Sequence, residues 1–274
     1  MVGSAFAFAA MSALVKLAAE RLPSQEIVAG RAAISLALSL ALLRRAGVQP
    51  LLGRRRGLLL LRGLFGFTAL SCVYYALAHL PLAEATVLQY LHPVFTAVLA
   101  AALLREAVGR RWLSGSLLSL LGVVMIVRPG PLAAGSWGLD PFAAAVGVAG
   151  ALASACAYVT VRRLARDEHP LVIVLYFPLV TLPATLPGLV RHGLWPEGLE
   201  WLWLAGVGVF AQLGQVWLTR GLQHEPAGRA TGLAYLQVVF AGVLGAALFQ
   251  EVPTPLALAG ALLVFGGAFV VARN

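Results

Sequence analysis

Ten apolar blocks separated by short polar segments run along the whole chain. A helix needs roughly 20 residues to cross the hydrocarbon core of a bilayer, and each block is of about that length. Because a spanning helix satisfies its own backbone hydrogen bonds in lipid, such blocks predict membrane-spanning helices. The predicted spans are 2–20, 24–43, 57–78, 81–104, 111–128, 138–161, 170–190, 199–221, 226–249 and 255–272. The first span begins at once, which favours a spanning helix or a trimmed start over a cleaved signal peptide.

The composition supports the same interpretation. Of the 274 residues, 60% are apolar and only 11% are charged, and the mean hydropathy is +0.88. A soluble domain carries about 25% charged residues, so a water-facing surface is not expected around this much apolar mass. Cys72 and Cys156 both lie inside apolar blocks and form no CxxC motif. We therefore predict inert, buried thiols.

The net charge of +9 reflects short clusters of arginine between the spans. Nucleic-acid binding is not expected, because such clusters set membrane orientation and lie beside anionic lipid headgroups. With the N-terminus in the cytoplasm, 15 of the 20 Lys and Arg residues, Arg62 among them, lie at inner loops or inner helix ends. The positive-inside rule then predicts an inner-membrane protein with both termini in the cytoplasm.

The two halves of the sequence match each other at an offset of 145 residues. Between 62–128 and 207–273 there are 24 identities in 67 positions. The shared residues include histidine, proline, tyrosine and glutamate, as in Tyr90/Tyr235 and Glu106/Glu251. Leucine- and alanine-rich helices often match by chance, but these rarer residues do not match repeatedly at one offset. Duplication is the better explanation.

A unit of five spans is odd, so the second copy should lie inverted in the membrane. The loop charges agree, because the loop between spans 4 and 5 is basic whereas its counterpart between spans 9 and 10 has no cation. Inverted repeats are typical of alternating-access transporters, which bind substrate where the halves meet. The predicted fold is therefore an all-α membrane protein of ten transmembrane helices, arranged as two inverted five-helix repeats (1–130 and 137–274) around a central cavity.

Several motifs resemble the drug/metabolite transporter superfamily and, within it, the EamA-like ten-helix proteins. They are an arginine in span 2 (Arg31), the link 76–85 (ALAHLPLAEA) into span 4, and the LHPVF motif at 91–95 followed by Glu106 and a glycine-rich fifth span. The resemblance covers essentially the whole chain. It implies two inverted halves around a central cavity and the export or exchange of amino acids, nucleotide-like molecules or other metabolites.

Polar and aromatic side chains inside the spans are the candidate substrate ligands, because burying them in hydrocarbon is costly. Both halves keep a polar group in the middle of spans 4 and 9, and span 8 has two glutamines three residues apart. We predict cavity lining, with interhelical hydrogen bonding as the alternative. The candidates are Lys16, Arg31, Tyr74, Gln89, Tyr90, His92, Gln212, Gln215, Trp217, Tyr235 and Gln237.

Other roles remain open for the charged residues. Lys16 could extend to the lipid headgroups, and Arg31 could pair with Glu26 or Glu84 instead of gripping a substrate anion. For Glu84, Glu106 and its repeat Glu251, we expect stabilisation of helix starts.

The predicted function is secondary active transport of a small polar metabolite, such as an amino acid or related compound, with export as the expected direction. Coupling to protons or to a counter-substrate stays open. The alternative is an intramembrane enzyme acting on a lipid-linked substrate, but the sequence has no HExxH, GxSxG or Walker A motif, so we expect no enzyme and no cofactor. The expected partners are the small-molecule substrate and membrane lipid, with a homodimer left open.

Overall fold

The computed structural model describes residues 1–80, 82–107, 109–127, 140–250 and 253–273, without the side chains of residues 82–84 and 192. Within these ranges the apolar blocks form helices joined by short loops. The helices are α1 (Val2–Ala18), α2 (Ser24–Arg45), α3 (Arg56–His79), α4 (Leu82–Gln89), α5 (His92–Leu104), α6 (Arg110–Val127), α7 (Pro141–Leu164), α8 (Pro170–His192), α9 (Glu200–His224), α10 (Ala227–Gly232), α11 (Leu236–Phe249) and α12 (Pro255–Ala272). A 3₁₀ turn (Leu233–Tyr235) joins α10 to α11.

The helices have the length and composition of membrane spans. In the described part of the chain, nine helical segments are long and apolar enough to cross a bilayer. Helix α1 has 17 residues and is also apolar, at the lower end of the spanning range of roughly 17–25 residues. The predicted all-α membrane fold is confirmed.

Spans 4 and 9 are each broken, although the sequence predicts them as single helices. Helix α4 ends at Gln89 and α5 begins at His92, where Pro93 cannot donate a backbone hydrogen bond. In span 9 the 3₁₀ turn separates α10 from α11. Both spans also end alike, with Arg105 (φ 57°) and Gln250 (φ 56°) in the left-handed conformation. These two residues lie at the 145-residue offset of the sequence repeat.

The packing of the helices is preserved when the two halves are exchanged. Helix α6 packs along its counterpart α12, and α2 packs along its counterpart α8. The contact between α3 and α7 has its counterpart between α9 and α1, and the contact between α5 and α7 has its counterpart between α11 and α1. Two copies related by a two-fold axis would pack in this way, so the contacts support the inverted repeat, which stays a prediction.

Glycines allow α6 and α12 to approach each other closely. A Cβ atom on Gly122 would lie 2.5 Å from the carbonyl oxygen of Gly260, and one on Gly115 would lie 2.7 Å from that of Gly267. Real Cβ atoms do not approach backbone oxygens so closely, so these positions require glycine. Small residues at helix crossings are the usual means of close packing in membranes.

We therefore expect Gly122→Ala to destabilise the protein by about 1–3 kcal/mol, because the helices must move apart to admit the methyl group. The matched control is Gly242→Ala in α11, where an added Cβ meets nothing within 4 Å. Thermal unfolding of both purified variants measures the difference. Equal unfolding temperatures for the two variants would contradict the close crossing.

One end of the helix bundle, called the basic face here, gathers the loops 46–55, 105–107, 165–169 and 225–226. Glu168 accepts hydrogen bonds from the backbone N–H groups of Arg54 (2.7 Å) and Arg55 (2.6 Å), immediately before α3 begins. The Nε2 atom of Gln223 donates to the carbonyl of Ala165 at 3.4 Å. The Glu168 contacts join a loop of the first half of the chain to a loop of the second, and the Gln223 contact joins the end of α9 to the loop after α7 within the second half.

Glu106 makes the most extensive of these connections. Its carboxylate accepts from Nε of Arg162 and from the backbone N–H of Ala227, both at 2.7 Å. Arg162 also donates to the carbonyls of Leu222 (2.8 Å) and Gln223 (2.9 Å) at the end of α9. Glu106 thus stabilises the start of α10 instead of the start of span 5, which corrects the expectation from sequence. Its repeat Glu251 and the side chain of Glu84 lie outside the described residues.

The opposite face joins the loops 19–23 and 193–199. Arg21 donates to both carboxylate oxygens of Glu200, at 2.7 Å and 2.6 Å, and to the carbonyl of Trp195 at 2.9 Å. The hydrogen bond to Glu200 raises the pKa of the Arg21 guanidinium above its ordinary value. Glu26 accepts from the backbone N–H of Leu194 at 2.7 Å. At both faces, polar contacts therefore join the two halves of the chain.

Candidate functional site

Two arginines from different helices share one aromatic ring in the interior. The guanidinium carbon of Arg31, in α2, lies 5.2 Å from the ring centre of Phe177, in α8. That of Arg62, in α3, lies 5.5 Å from the same centre. The face of an aromatic ring attracts a cation at such distances. Nη2 of Arg62 also donates to Oε1 of Gln215, in α9, at 2.7 Å.

Arg62 lies deeper than the sequence pattern indicates. It was counted among the cations of inner loops and helix ends, but only 3% of its surface is exposed. The helix begins at Arg56, so Arg62 is more than one turn inside the apolar block. Its contacts with Phe177 and Gln215 replace the expected contact with lipid headgroups. Arg62 is therefore part of the candidate site.

Three guanidinium nitrogens at this site have no hydrogen-bond partner among the described residues. They are Nε of Arg31 and Nε and Nη1 of Arg62, all of them buried. For Arg31, an ion pair with Glu26 or Glu84 was the alternative to binding a substrate anion. Glu26 instead binds the backbone of Leu194, and the Glu84 side chain lies outside the description. Buried donors normally find partners, so these N–H groups could donate to a polar ligand at this site.

A row of aromatic side chains continues from the arginines toward the broken spans. Tyr158, in α7, lies close enough to both arginines to interact with them electrostatically. Its ring is 5.2 Å from that of His92. The His92 ring is 6.2 Å from that of Tyr90, which stacks at 5.9 Å on its repeat counterpart Tyr235. The row thus crosses from one half of the chain to the other.

The row also contains unused polar atoms. Within the described structure, Nδ1 of His92 and the hydroxyl of Tyr235 are buried without a hydrogen-bond partner. His92 is 7% exposed and Tyr235 is fully buried. We name the arginines, Phe177 and Gln215, together with this row, the polar core. Its members are Arg31, Arg62, Tyr90, His92, Tyr158, Phe177, Gln215 and Tyr235.

Three more predicted residues lie beside the polar core or next to its members in sequence. Tyr74 is half-buried and interacts electrostatically with Arg31. Gln89 and Gln237 are half-buried and adjoin the breaks of spans 4 and 9. Their assignment as substrate ligands stays a prediction.

The remaining three predicted residues make other contacts, and their assignment as substrate ligands stays a prediction. Lys16 is exposed, with Nζ 4.2 Å above the ring of Phe249 at the end of α11. Gln212 is buried, and its Nε2 donates to the hydroxyl of Ser39 at 2.8 Å as an interhelical hydrogen bond, whereas its Oε1 has no partner among the described residues. Trp217 is 37% exposed and packs against Gly3 of α1.

Nothing in the sequence pattern singles out Tyr158 or Phe177. Both are apolar or weakly polar residues in apolar helices, and only the packing of α7 and α8 against α2 and α3 makes them neighbours of the arginines. Arg62 did carry a signal, because a cation six residues inside an apolar block is costly in lipid. Its proximity to the cluster Arg54, Arg55 and Arg56 hid that signal.

The comparisons with known proteins agree with this architecture. The model of the EamA-like transporter family matches residues 1–128 and again residues 141–273. The chain belongs to the EamA-like transporter family. A protein of known crystal structure has the same fold, with a TM-score of 0.82 at 24% identity over 99% of this chain and 96% of the other.

Two relatives have informative names. The pseudopaline exporter CntI of Pseudomonas aeruginosa is 37% identical over 276 residues, covering 99% of this chain and 94% of that protein. Solute carrier family 35 member G1 of Mus musculus is 30% identical over 275 residues, covering 95% of this chain and 74% of that protein. The expectation of a multi-pass membrane transporter for a small metabolite, and not an enzyme, is confirmed.

Proposed function

We propose that this chain is a secondary active transporter that exports a small polar metabolite by alternating access. The two five-helix units would be inverted repeats, and the substrate would bind in the polar core between them. The basic face would be cytoplasmic, in the inner membrane. A proton or a counter-substrate would supply the coupling.

The observation that carries this proposal is the polar core itself. It gathers polar and aromatic side chains, buried or half-buried, from α2, α3, α5, α7, α8 and α9, hence from both halves of the chain. Several of these groups lack a protein partner within the described structure. A purely structural network would satisfy its own donors. Polar contacts between the halves at both faces also fit a substrate site that is reached from one side at a time, since breaking one set would open one face.

The printed name of the bacterial relative supplies the first substrate to test. Pseudopaline, loaded into proteoliposomes with the purified protein, should exchange with labelled pseudopaline outside. A panel of amino acids and other small acids tests related substrates in the same format. No exchange with any of these compounds, by protein that is folded and correctly inserted, would contradict the proposal.

We expect His92→Ala to lower the initial rate of exchange at least tenfold, because a hydrogen bond to a charged group is worth about 1.5–3 kcal/mol. Gln237→Ala tests the matching position of the second repeat. The control is His79→Ala, since His79 is exposed, bonds the carbonyl of Tyr75 in its own helix and stacks on the Tyr75 ring. Membrane insertion and yield should be equal in all three. Wild-type exchange in His92→Ala would remove His92 from the site.

The same vesicles distinguish the two forms of coupling. If transport is coupled to protons, collapsing the proton gradient should abolish uphill flux while exchange at equilibrium continues. If uphill flux is unchanged, a gradient of counter-substrate drives the transport instead.

A further inference from the structure

We propose that Arg31 and Arg62 together bind a substrate that carries two carboxylates, one for each guanidinium group. This inference deepens the proposed function, since it rests on the polar core being the substrate site. It narrows the substrate class from small polar metabolites to dicarboxylates.

The first argument is the missing negative charge. The chain has 11 Asp and Glu residues, and nine remain when Glu84 and Glu251 are set aside as undescribed side chains. Of these nine, Glu20 is exposed and the other eight bind cations or backbone N–H groups at the two faces or at a helix start. Those eight are Glu26, Glu106, Asp140, Asp167, Glu168, Glu197, Glu200 and Glu225. No described carboxylate neutralises the buried Arg62 or the half-buried Arg31.

The second argument is the geometry of the pair. The guanidinium carbons of Arg31 and Arg62 lie 5.2 Å and 5.5 Å from the ring centre of Phe177. The distance between the two carbons therefore cannot exceed these two distances added together. They also lie close enough to repel each other. A single metabolite can therefore reach both. Each guanidinium can bind a carboxylate through two parallel hydrogen bonds. In Arg62, Nη2 uses one N–H for Gln215, so its second N–H can pair with the unpartnered Nε or Nη1, and in Arg31 Nε is unpartnered.

The number of charges follows from the cost of burial. A monoanion would neutralise one arginine and leave the charge of the other uncompensated, which is unfavourable in the interior. The other members of the polar core are tyrosines, a phenylalanine, a glutamine and a histidine. Among the described side chains no carboxylate receives a substrate ammonium group there. The site therefore favours dicarboxylates over monocarboxylates and over amino acids that have a single carboxylate.

The test is a binding measurement on the purified protein, independent of transport. The probes are succinate, glutarate and adipate, because the separation of their carboxylates increases along the series, each compared with its monomethyl ester. We expect at least one dicarboxylate to bind at least tenfold more tightly than its monoester, by calorimetry at constant ionic strength. Equal affinity for all three pairs would overturn the proposal. Inorganic phosphate is measured as well. If it binds more tightly than every dicarboxylate, the two arginines fit a single phosphate group and the proposal is overturned.

The variants Arg31→Gln and Arg62→Gln should each abolish the preference for the dicarboxylate over its monoester. The matched control is Arg163→Gln, which removes the same charge from an exposed position of α7 and should leave the preference unchanged. A merely structural role would instead lower the unfolding temperature without ligand. We expect that temperature to be unchanged or raised, because an uncompensated buried charge is removed. If either glutamine variant fails to fold, Arg→Lys at that position must weaken the preference, and an unchanged preference would overturn the proposal.

The variant Glu84→Gln tests whether Arg31 is paired with Glu84 within the protein. If Glu84 were the partner of Arg31, its removal would free the arginine and tighten dicarboxylate binding, and that result would overturn the assignment of two free arginines. Unchanged affinity supports the assignment. Exchange in proteoliposomes then separates the two proposals. If a dicarboxylate binds but is not exchanged, only the transport function is contradicted. If other small metabolites are exchanged without any preference for dicarboxylates, only the present inference is contradicted.

Discussion

Replacing Glu106 with glutamine should lower the unfolding temperature of the purified protein by roughly 5–10 °C, which corresponds to about 2–3 kcal/mol for a chain of this size. The carboxylate is 13% exposed and its partner Arg162 is 17% exposed, so solvent screens the pair only weakly. The substitution leaves the Arg162 charge without its anion. It also weakens the acceptor of the Ala227 N–H at the start of α10.

The matched control is Glu225→Gln on the same face. Glu225 pairs with Arg229 at 2.9 Å, but the two side chains are 44% and 31% exposed, and such surface pairs contribute little. A double-mutant cycle with Arg162→Gln isolates the energy of the Glu106 pair. If Glu106→Gln and Glu225→Gln unfold at the same temperature, the Glu106–Arg162 pair stabilises the protein no more than an exposed ion pair does, which contradicts this prediction.

The spans and their apolar character could be predicted from the sequence because each is a local property. A block of 20 apolar residues has one stable form in lipid, so the positions of the helices were predicted within a few residues. The breaks of spans 4 and 9 were not predicted. Pro93 is a local signal for the first, but the 3₁₀ turn at Leu233–Tyr235 has no proline, and its position depends on packing.

The polar core could be predicted only in part. His92, Tyr90 and Tyr235 were found because they are polar residues at equivalent positions of a repeat. Trp217 and Lys16 are an aromatic and a cationic residue, like members of the polar core, yet Trp217 packs against Gly3 and Lys16 lies over Phe249. Which neighbour a side chain meets depends on how its helix is rotated against the others.

Arg62 shows that the sequence position of a charged residue does not by itself say where the residue lies. Arg54, Arg55 and Arg56 belong to the basic face, whereas Arg62, six residues after Arg56, lies in the interior. Burial decides between the two roles, and burial follows from the packing of α3 against α7 and α8. The same packing makes Phe177 and Tyr158 members of the polar core, because it brings them beside the arginines.

The second large effect is expected at the two faces during transport. If the halves rock about the polar core, opening of the basic face must break the contacts of Glu106 while Arg21 and Glu200 stay together at the opposite face. Opening of the opposite face must do the reverse. Glu106→Gln should therefore shift the population toward molecules that are open at the basic face, since it weakens only one of the two closures.

Paired spin labels measure this directly in lipid nanodiscs. Cys72 and Cys156 are first replaced by alanine, and labels are then attached at Ala107→Cys with Arg163→Cys on the basic face, or at Glu20→Cys with Leu199→Cys on the opposite face. All four positions are exposed. Alternating access predicts that Glu106→Gln lengthens the distance between the labels on the basic face. On the opposite face it should shorten the distance between the labels or narrow the distribution of that distance. Distances at the two faces that stay fixed, or that lengthen together, would contradict the account.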